Sequence, residues 1–334
     1  VKGERYMRFL KNPRTNPYMN LALDEYAMKH IDVGEDYFFI WQNEPSVIIG
    51  KNQNAVQEVN QAFIDKNNIH VARRVSGGGA VYHDFGNLNF TFIIGVDDPG
   101  KVNYKKYVQP IIDALKSMNV HAEASGRNDI LIDGLKISGN AQRMAGGKLM
   151  HHGTLIYDVN LEDMVEALNV DPDKIVSKGV KSVRSRVTTI KEHLPKGTTI
   201  EDFWNELHYY LSNKGQDKEI LLSQKDLDSI KHEADTRFST WEWNYGYSPE
   251  FNLKNSKRFP GGRIEVLMEV NEGLIESIRF MGDYLGLRDV SEVEEKLVGV
   301  RFKTSDVMQA LSEFNLKLYF GGISLDEIIS VIFH

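Results

Sequence analysis

Cysteine is absent from this 334-residue chain. That removes disulfides, thiolate metal sites and every mechanism that uses a cysteine nucleophile. No apolar run approaches the roughly 20 residues that a membrane-spanning helix needs. The opening residues, VKGERYMRFLKN, lack the apolar stretch of a secretory signal. Together these absences lead us to expect a soluble cytoplasmic protein that does not engage a membrane. An excess of positive charge is missing as well: 40 Lys and Arg stand against 47 Asp and Glu, a net charge of −7. A nucleic-acid binder working by bulk electrostatics is not expected on that balance. Neither the P-loop pattern G-x-x-x-x-G-K-[ST] nor a helix-opening G-x-G-x-x-G occurs, so any nucleotide site must use another architecture. There is no internal repeat and no low-complexity segment.

What remains is ordinary globular material, 41% hydrophobic and 26% charged, enough for a sizeable core. The length favours one large and one small domain. Asn16-Pro17 before YMNLALDEYAMKH reads as an N-cap, a Pro at the first helical position and a helix, with Met19, Leu21, Leu23, Tyr26 and Ala27 as its apolar residues. YFFIW (37–41) and SVIIG (46–50) read as two buried strands joined by the turn QNEP. A helix is predicted over 57–67. HVARRVS and GAVYHD read as strands entering and leaving a glycine loop, with LNFTFIIG (88–95) as a third. Tyr107, Val108, Ile111, Ile112 and Leu115 sit at helical spacing in 104–118. From 126 to 159, short apolar runs divided by Asp133-Gly134 and Gly146-Gly147 predict successive antiparallel strands, followed by the helix LEDMVEALNV. Thr198 with Glu201 resembles a capping box opening FWNELHYYL, and a polar helix is predicted over 223–237. The aromatic stretch WEWNYGYSP (241–249) marks the expected boundary between domains 1–245 and 250–334. Beyond it lie a hairpin, GGRIEVLMEV and LIESIRFMG, and helices near 290–299, 304–315 and 324–333, the last opened by Ser324 and Glu327.

The stretch RRVSGGGAVYHD (73–84) carries the clearest chemical signal. Glycines let backbone approach a ligand and let successive N–H groups form a concave anion site. Arg73 and Arg74 add planar donor forks that match phosphate or carboxylate. A hairpin turn in which the glycines only relieve strain is the plainer alternative. Lys136, in GLKISGNAQ (134–142), either faces a cleft or is a surface lysine on an edge strand. Taken together, Arg74, the glycines and Lys136 would form one anion site able to hold a triphosphate and neutralise charge building at an α-phosphorus. The basic segment SKGVKSVRSRVTTI (177–190) is either a mobile loop or a solvated connection. His83, His151 and His152 lack zinc-ligand spacing, so hydrogen bonding in the core or behind the site is expected of them.

RRVSGGGAVYHD, followed by KISGNAQ and then HHGTLIYD, resembles the lipoate–protein ligase family, and the resemblance extends over nearly the whole chain. It implies an α+β protein of the biotin/lipoate ligase fold: a large mixed, mostly antiparallel sheet domain flanked by helices, and a small α+β C-terminal domain. It implies that lipoate and Mg-ATP give lipoyl-AMP and pyrophosphate, after which an acceptor lysine takes the lipoyl group. Arg74, Gly79, Ala80, Val81, Tyr82 and Lys136 would bind ATP or the adenylate. Arg73, Ser76, Gly77, Gly78, Lys136, Gly139 and His151 would bind lipoate, with Val75 and Val81 supplying apolar wall. Lys178, Gly179, Val180, Lys181, Ser182, Val183 and Arg184 match in position a loop that covers the adenylate. Asn128 and Asp129 sit where Mg2+ is expected. The implied partners are lipoyl domains of 2-oxoacid dehydrogenase complexes and the glycine cleavage H protein. Three alternatives stand beside this reading: an ATP-independent lipoyl or octanoyl transferase of the same fold, a biotin ligase, and a binding protein without activity. The missing cysteine closes the thioester route to the first, and the glycine-rich loop is not the one expected of the second.

Overall fold

The computed structural model describes residues 7–31, 34–96, 102–126, 128–168, 186–216, 218–246, 253–271 and 273–333. Its strands are β1 (Arg8–Leu10), β2 (Tyr37–Trp41), β3 (Ser46–Ile49), β4 (His70–Arg73), β5 (Val81–His83), β6 (Asn87–Gly95), β7 (Glu123–Ser125), β8 (Asp129–Ile132), β9 (Leu135–Ala145), β10 (Lys148–Ile156), β11 (Glu219–Ile220), β12 (Leu253–Phe259), β13 (Gly262–Asn271) and β14 (Leu274–Gly282). One large sheet runs β11-β1-β2-β6-β10-β9-β8-β7. Its β11–β1 and β1–β2 pairs are parallel and the rest antiparallel, so the sheet is mixed and mostly antiparallel, as expected. A small sheet runs β4-β3-β5, and a third, β12-β13-β14, carries the C-terminal helices.

Both faces of the large sheet are covered. On one, Phe38, Phe90 and Phe92 pack against the helices Tyr104–Ser117 and Ile200–Leu211. On the other, Tyr37, Phe39 and Trp41 meet the helix Pro17–His30, which lies between the large sheet and the small β4-β3-β5 sheet. Each such aromatic fully withdrawn from water contributes about 1.5–3 kcal/mol. The Pro17–His30 helix starts as its sequence predicts, with Asn16 Oδ1 accepting from the Met19 N–H at 3.1 Å. Its burial is not confined to the apolar residues: Asn20, Asp24 and Glu25 are as buried as Leu21 and Leu23. A helix held between two sheets has little solvent face, and these polar residues are retained through hydrogen bonds. Among the described residues no helix is long and apolar enough to cross a membrane.

Several local expectations are corrected. β2 and β3 are buried strands as read, but they enter different sheets, and β3 pairs in parallel with β4 and antiparallel with β5. The strands on either side of the glycine loop therefore never pair with each other, which rules out the hairpin-turn alternative. The helix expected over 57–67 is two short ones, Ala55–Glu58 and Gln61–Asn67. The capping box near 200 uses Thr199 and Asp202 rather than Thr198 and Glu201, whereas that of Ser324 and Glu327 forms as expected.

The glycine loop is wedged between the small sheet and the C-terminal unit. Gly78 has a φ of 91°, the left-handed region that glycine adopts without penalty. Its N–H donates to the Tyr284 carbonyl at 3.1 Å. A Cβ on Gly77 would lie 2.7 Å from that same carbonyl oxygen, whereas one on Gly79 would meet nothing within 4 Å. Gly50, just after β3, approaches the loop most closely: its Cβ would sit 2.0 Å from the Gly78 carbonyl oxygen. Replacing Gly50 by alanine must therefore displace backbone. Gly50→Ala is expected to cost at least about 2 kcal/mol and several degrees of Tm. Gly79→Ala is expected to change stability little; equal melting curves for the two variants would contradict this packing.

Candidate active site

After β4 the chain does not turn directly into β5; it wraps around the side chain of Arg74. The Arg74 Nη1 donates to the Ile48 carbonyl (3.2 Å), Nη2 to the carbonyls of Gly77 (2.6 Å) and Gly79 (2.9 Å), and Nε to Ser76 Oγ (3.1 Å). A planar guanidinium can satisfy such divergent acceptors where an ammonium cannot. Burial and the neighbouring Arg73 charge lower the Arg74 pKa to about 10, so it remains charged at neutral pH. Ser76 Oγ, which accepts from Arg74, is also hydrogen-bonded to His152 Nε2 (2.6 Å), and His152 Nδ1 donates to Asp24 Oδ2 (2.7 Å). Asp24 Oδ1 accepts from Thr91 Oγ1 (2.8 Å), which accepts in turn from Trp41 Nε1 (3.0 Å). The loop is thereby tied to the first helix and to the large sheet.

Lys136 approaches from β9. A bulge there, where Ile130 pairs with Ser138 but Leu131 with Lys136, accompanies a lysine side chain lying over Gly139. A Cβ on Gly139 would come 3.1 Å from Lys136 Nζ, so that glycine makes room for the lysine. Nζ bonds Asp129 Oδ1 at 2.7 Å, and both side chains are about one-third exposed, at 38% and 34%. The Lys136 backbone pairs with the segment beyond residue 185: its N–H donates to the Arg186 carbonyl (2.8 Å) and its carbonyl accepts from Thr188 N (3.1 Å).

Between the two lies a cavity of about 110 Å³ whose lining includes Arg74, Gly79, Val81, Lys136, Asn140 and His152. Strand register explains its shape. Trp41 pairs with Asn89 and Asn89 with Thr154, and the Thr154 Oγ1 accepts from Gly139 N at 3.1 Å. All four line the cavity. The floor is thus a row crossing β2, β6, β10 and β9, three interstrand spacings or roughly 14 Å. Trp41, Ile48 and Leu21 give an apolar wall away from the ammonium, and Lys136 with Asp129 ends the row in charge. The groove therefore has a charged end at Lys136 and an apolar stretch at Trp41.

Of the residues that the sequence singled out, the structure brings Arg74, Gly79, Ala80, Val81, Asn128, Lys136 and Gly139 to this cavity. It sends others elsewhere. Arg73 is 1% exposed and faces away, its guanidinium taken by the carbonyls of Gly50, Lys51, Trp243 and Asn244, because adjacent strand residues point to opposite sides. The same alternation buries Tyr82 in the core behind the small sheet. It also puts His152, not His151, in the cavity; His151 stacks between Phe90 and Phe92 on the opposite face of the sheet. Ser76 lies behind the loop, and Gly77 and Gly78 meet the C-terminal unit. Val75 is core, leaving Val81 as the apolar wall. The expected covering residues, Lys178, Gly179, Val180, Lys181, Ser182, Val183 and Arg184, lie outside the described residues. Sequence reasoning did not single out Asn89, Asn140 or Thr154. The signal was there in β6, where Asn87, Asn89 and Thr91 alternate with Leu88, Phe90 and Phe92 to give a stretch of strand buried on both sides one polar face.

Among the described residues no three His, Asp or Glu side chains are grouped to hold a metal. Asp129 and Asn128 offer one carboxylate and one amide, which suits an ion completed by phosphate oxygens and water rather than one caged by protein.

Residues 16–212 match the family model described as the lipoyl protein ligase A/B catalytic domain, and residues 248–332 match that of the bacterial lipoate protein ligase C-terminus. The chain belongs to the lipoate–protein ligase family. Among its relatives in that family is a lipoate-protein ligase of Bacillus subtilis, 46% identical, with 98% of this chain and 100% of that one aligned. Another is lipoate–protein ligase 1 of Staphylococcus aureus, 42% identical over 98% of this chain and 100% of the relative. Of solved structures, P. falciparum LipL1 in complex with lipoate superposes with a TM-score of 0.79 at 26% identity, covering 97% of this chain and 98% of that one. A lipoate-protein ligase A bound with ATP gives 0.62 at 27% identity, over 73% of this chain and 100% of its own.

Burial without a charge partner holds His151 neutral, its pKa pushed down to about 3 chiefly by desolvation and then by His152. The unfolded chain takes up that proton near the ordinary value of 6.5 and the folded chain does not, so this histidine's contribution is intact above 6.5 and is lost as pH falls. The unfolding free energy of His151→Phe should therefore depend less steeply on pH between 6 and 4, by about 1.4 kcal/mol per pH unit. Denaturant melts at several pH values check this; parallel pH profiles for the two proteins would contradict it.

Proposed function

We propose that this lipoate–protein ligase family member activates lipoate with ATP and then lipoylates a lysine of an acceptor protein, and that the cavity between the glycine loop and Lys136 is where both steps occur. The observation that carries the reading is the convergence of Arg74, Gly79 and Lys136 on one groove with an apolar far wall. A lipoate carboxylate oxygen attacks the α-phosphorus of ATP, the bond to the β-phosphate oxygen breaks, and pyrophosphate leaves. Carboxylate and triphosphate repel each other, so the attack needs a cation between them. Lys136 Nζ supplies it, exchanging Asp129 for the lipoate carboxylate and the α-phosphate. Arg74 acts as a fixed positive charge within the loop, its donors already committed to loop carbonyls and Ser76. Gly79, without a Cβ, leaves the backbone at the cavity open to the nucleotide. Asp129 and Asn128 are the residues that would hold Mg2+. When bound, the ion neutralises charge on the triphosphate. In the second step the acceptor amine attacks the acyl carbon, AMP leaves, and the amine loses a proton.

The acceptors are lipoyl domains of 2-oxoacid dehydrogenase complexes and the glycine cleavage H protein. A bipartite ligase from Thermoplasma acidophilum, solved as part of a lipoylation system with its E2 lipoyl domain, superposes with a TM-score of 0.64 at 28% identity over 75% of this chain and 100% of its own, which supports the lipoyl-domain assignment. The cytoplasm supplies both ATP and such acceptors. A thioester transferase has no nucleophile in a chain without cysteine.

Lys136→Ala should lower lipoate-dependent pyrophosphate release by at least about a hundredfold. Its melting temperature should stay close to that of the parent, since the side chain is 38% exposed. A variant that turns over normally would remove Lys136 from the mechanism.

A further inference from the structure

The far end of the groove is not wholly apolar. Asn89 and His83 both line the cavity and are each 2% exposed. Asn87 Nδ2 donates to Asn89 Oδ1 at 3.0 Å, which leaves the Asn89 amide nitrogen without a protein partner among the described residues. His83 Nε2 has none either.

A chain of amides fixes which His83 nitrogen carries the proton. Asn20 Nδ2 faces the carbonyls of Arg14 (3.2 Å) and Gln42 (3.0 Å), so it is the nitrogen, and it also donates to Asn43 Oδ1 (2.8 Å). Asn43 therefore turns its own Nδ2 to His83 Nδ1, 3.0 Å away, which must accept. The ring proton sits on Nε2. Burial, with the Arg74 charge and His152 nearby, keeps the ring neutral, its pKa lowered to about 3. The groove beyond Trp41 thus presents two buried donors, an amide N–H and an imidazole N–H. Asn89 is the β6 neighbour of Trp41 in the floor row, two strands from the β9 lysine, and the His83 ring centre is 6.2 Å from that of Trp41.

We propose that Asn89 and His83 are specificity-determining residues that select an acid whose far end carries a hydrogen-bond acceptor, the ring sulfurs of lipoate, over one that ends in hydrocarbon. The inference rests on the proposed lipoate-activating reading of the same cavity. A saturated tail covers both donors and offers them nothing, at the cost of a buried unpaired polar group; a dithiolane sulfur accepts, weakly but in the right place. Discrimination by withheld hydrogen bonds exceeds what a hydrophobic wall achieves by shape alone.

The test compares kcat/KM for pyrophosphate release with lipoate, with octanoate and with 5-cyclopentylpentanoate, which keeps the five-membered ring and lacks sulfur. The parent protein should favour lipoate over the cyclopentyl acid by about tenfold or more. Asn89→Leu should bring the two within about threefold, mainly by raising the value for the cyclopentyl acid. His83→Phe, which removes the second donor and keeps a flat ring, should shift the ratio in the same direction and serves if Asn89→Leu melts too low to assay. A parent protein that turns over both ring acids equally, or a preference unchanged in both variants, overturns the proposal while leaving the ligase reading intact. A parent protein that releases no pyrophosphate with any of the acids removes the reading itself and the proposal with it.

Discussion

The site depends on one buried guanidinium. Arg74 holds the glycine loop by giving its hydrogen atoms to the carbonyls of Ile48, Gly77 and Gly79 and to Ser76. Without it, several loop carbonyls would be buried and unpaired, at a cost of about 1–3 kcal/mol each. The loop is thus folded around an internal cation, and what it shows to the cavity is the charge and the backbone that result. Ser76, His152 and Asp24 carry the same constraint through to the first helix, which explains why that helix keeps an aspartate in its core.

The three glycines serve three different ends. Gly77 admits the Tyr284 carbonyl, Gly78 takes a conformation that L side chains avoid, and Gly79 leaves the cavity open. The first two couple the site to the C-terminal unit. That coupling continues in the Lys51–Asp289 ion pair, and in the backbone bonds from Gly282 N to the Asn52 carbonyl (2.7 Å) and from Met144 N to the Leu287 carbonyl (2.6 Å). Burial lowers the Lys51 pKa while Asp289 opposes it, as befits an ion pair taken largely out of water. The C-terminal unit therefore forms part of the scaffold under the loop, although none of its described residues lines the cavity.

Much of this was legible in the chain. RRVSGGG and GLKISGN put donors and glycines side by side, and no fold is needed to see that such residues suit an anion. Facing was harder. In Arg73-Arg74 and His151-His152 the two members of each pair are chemically alike, strand alternation sends them to opposite sides, and only the register says which goes where. The buried Asn20 and Asp24 look like a solvent face because nothing local announces a second sheet lying over the helix. The turn QNEP joins two strands without saying whether they pair; β2 and β3 part into separate sheets, since β3 finds its partners in β4 and β5. Asn89 escaped notice, and His83 was expected only as a core or supporting hydrogen-bonding group, because a donor's lack of a partner is a property of the folded neighbourhood alone.

The most direct measurement of the central claim is equilibrium binding of a stable lipoyl-adenylate mimic to the parent protein and to Arg74→Lys. Lysine keeps the charge but cannot span the loop carbonyls. The account predicts that Arg74→Lys binds the mimic at least about tenfold more weakly and melts several degrees lower, by losing about 1.4 kcal/mol or more of each. Parent-like affinity and stability in Arg74→Lys would mean that charge alone suffices and that the loop does not depend on the guanidinium.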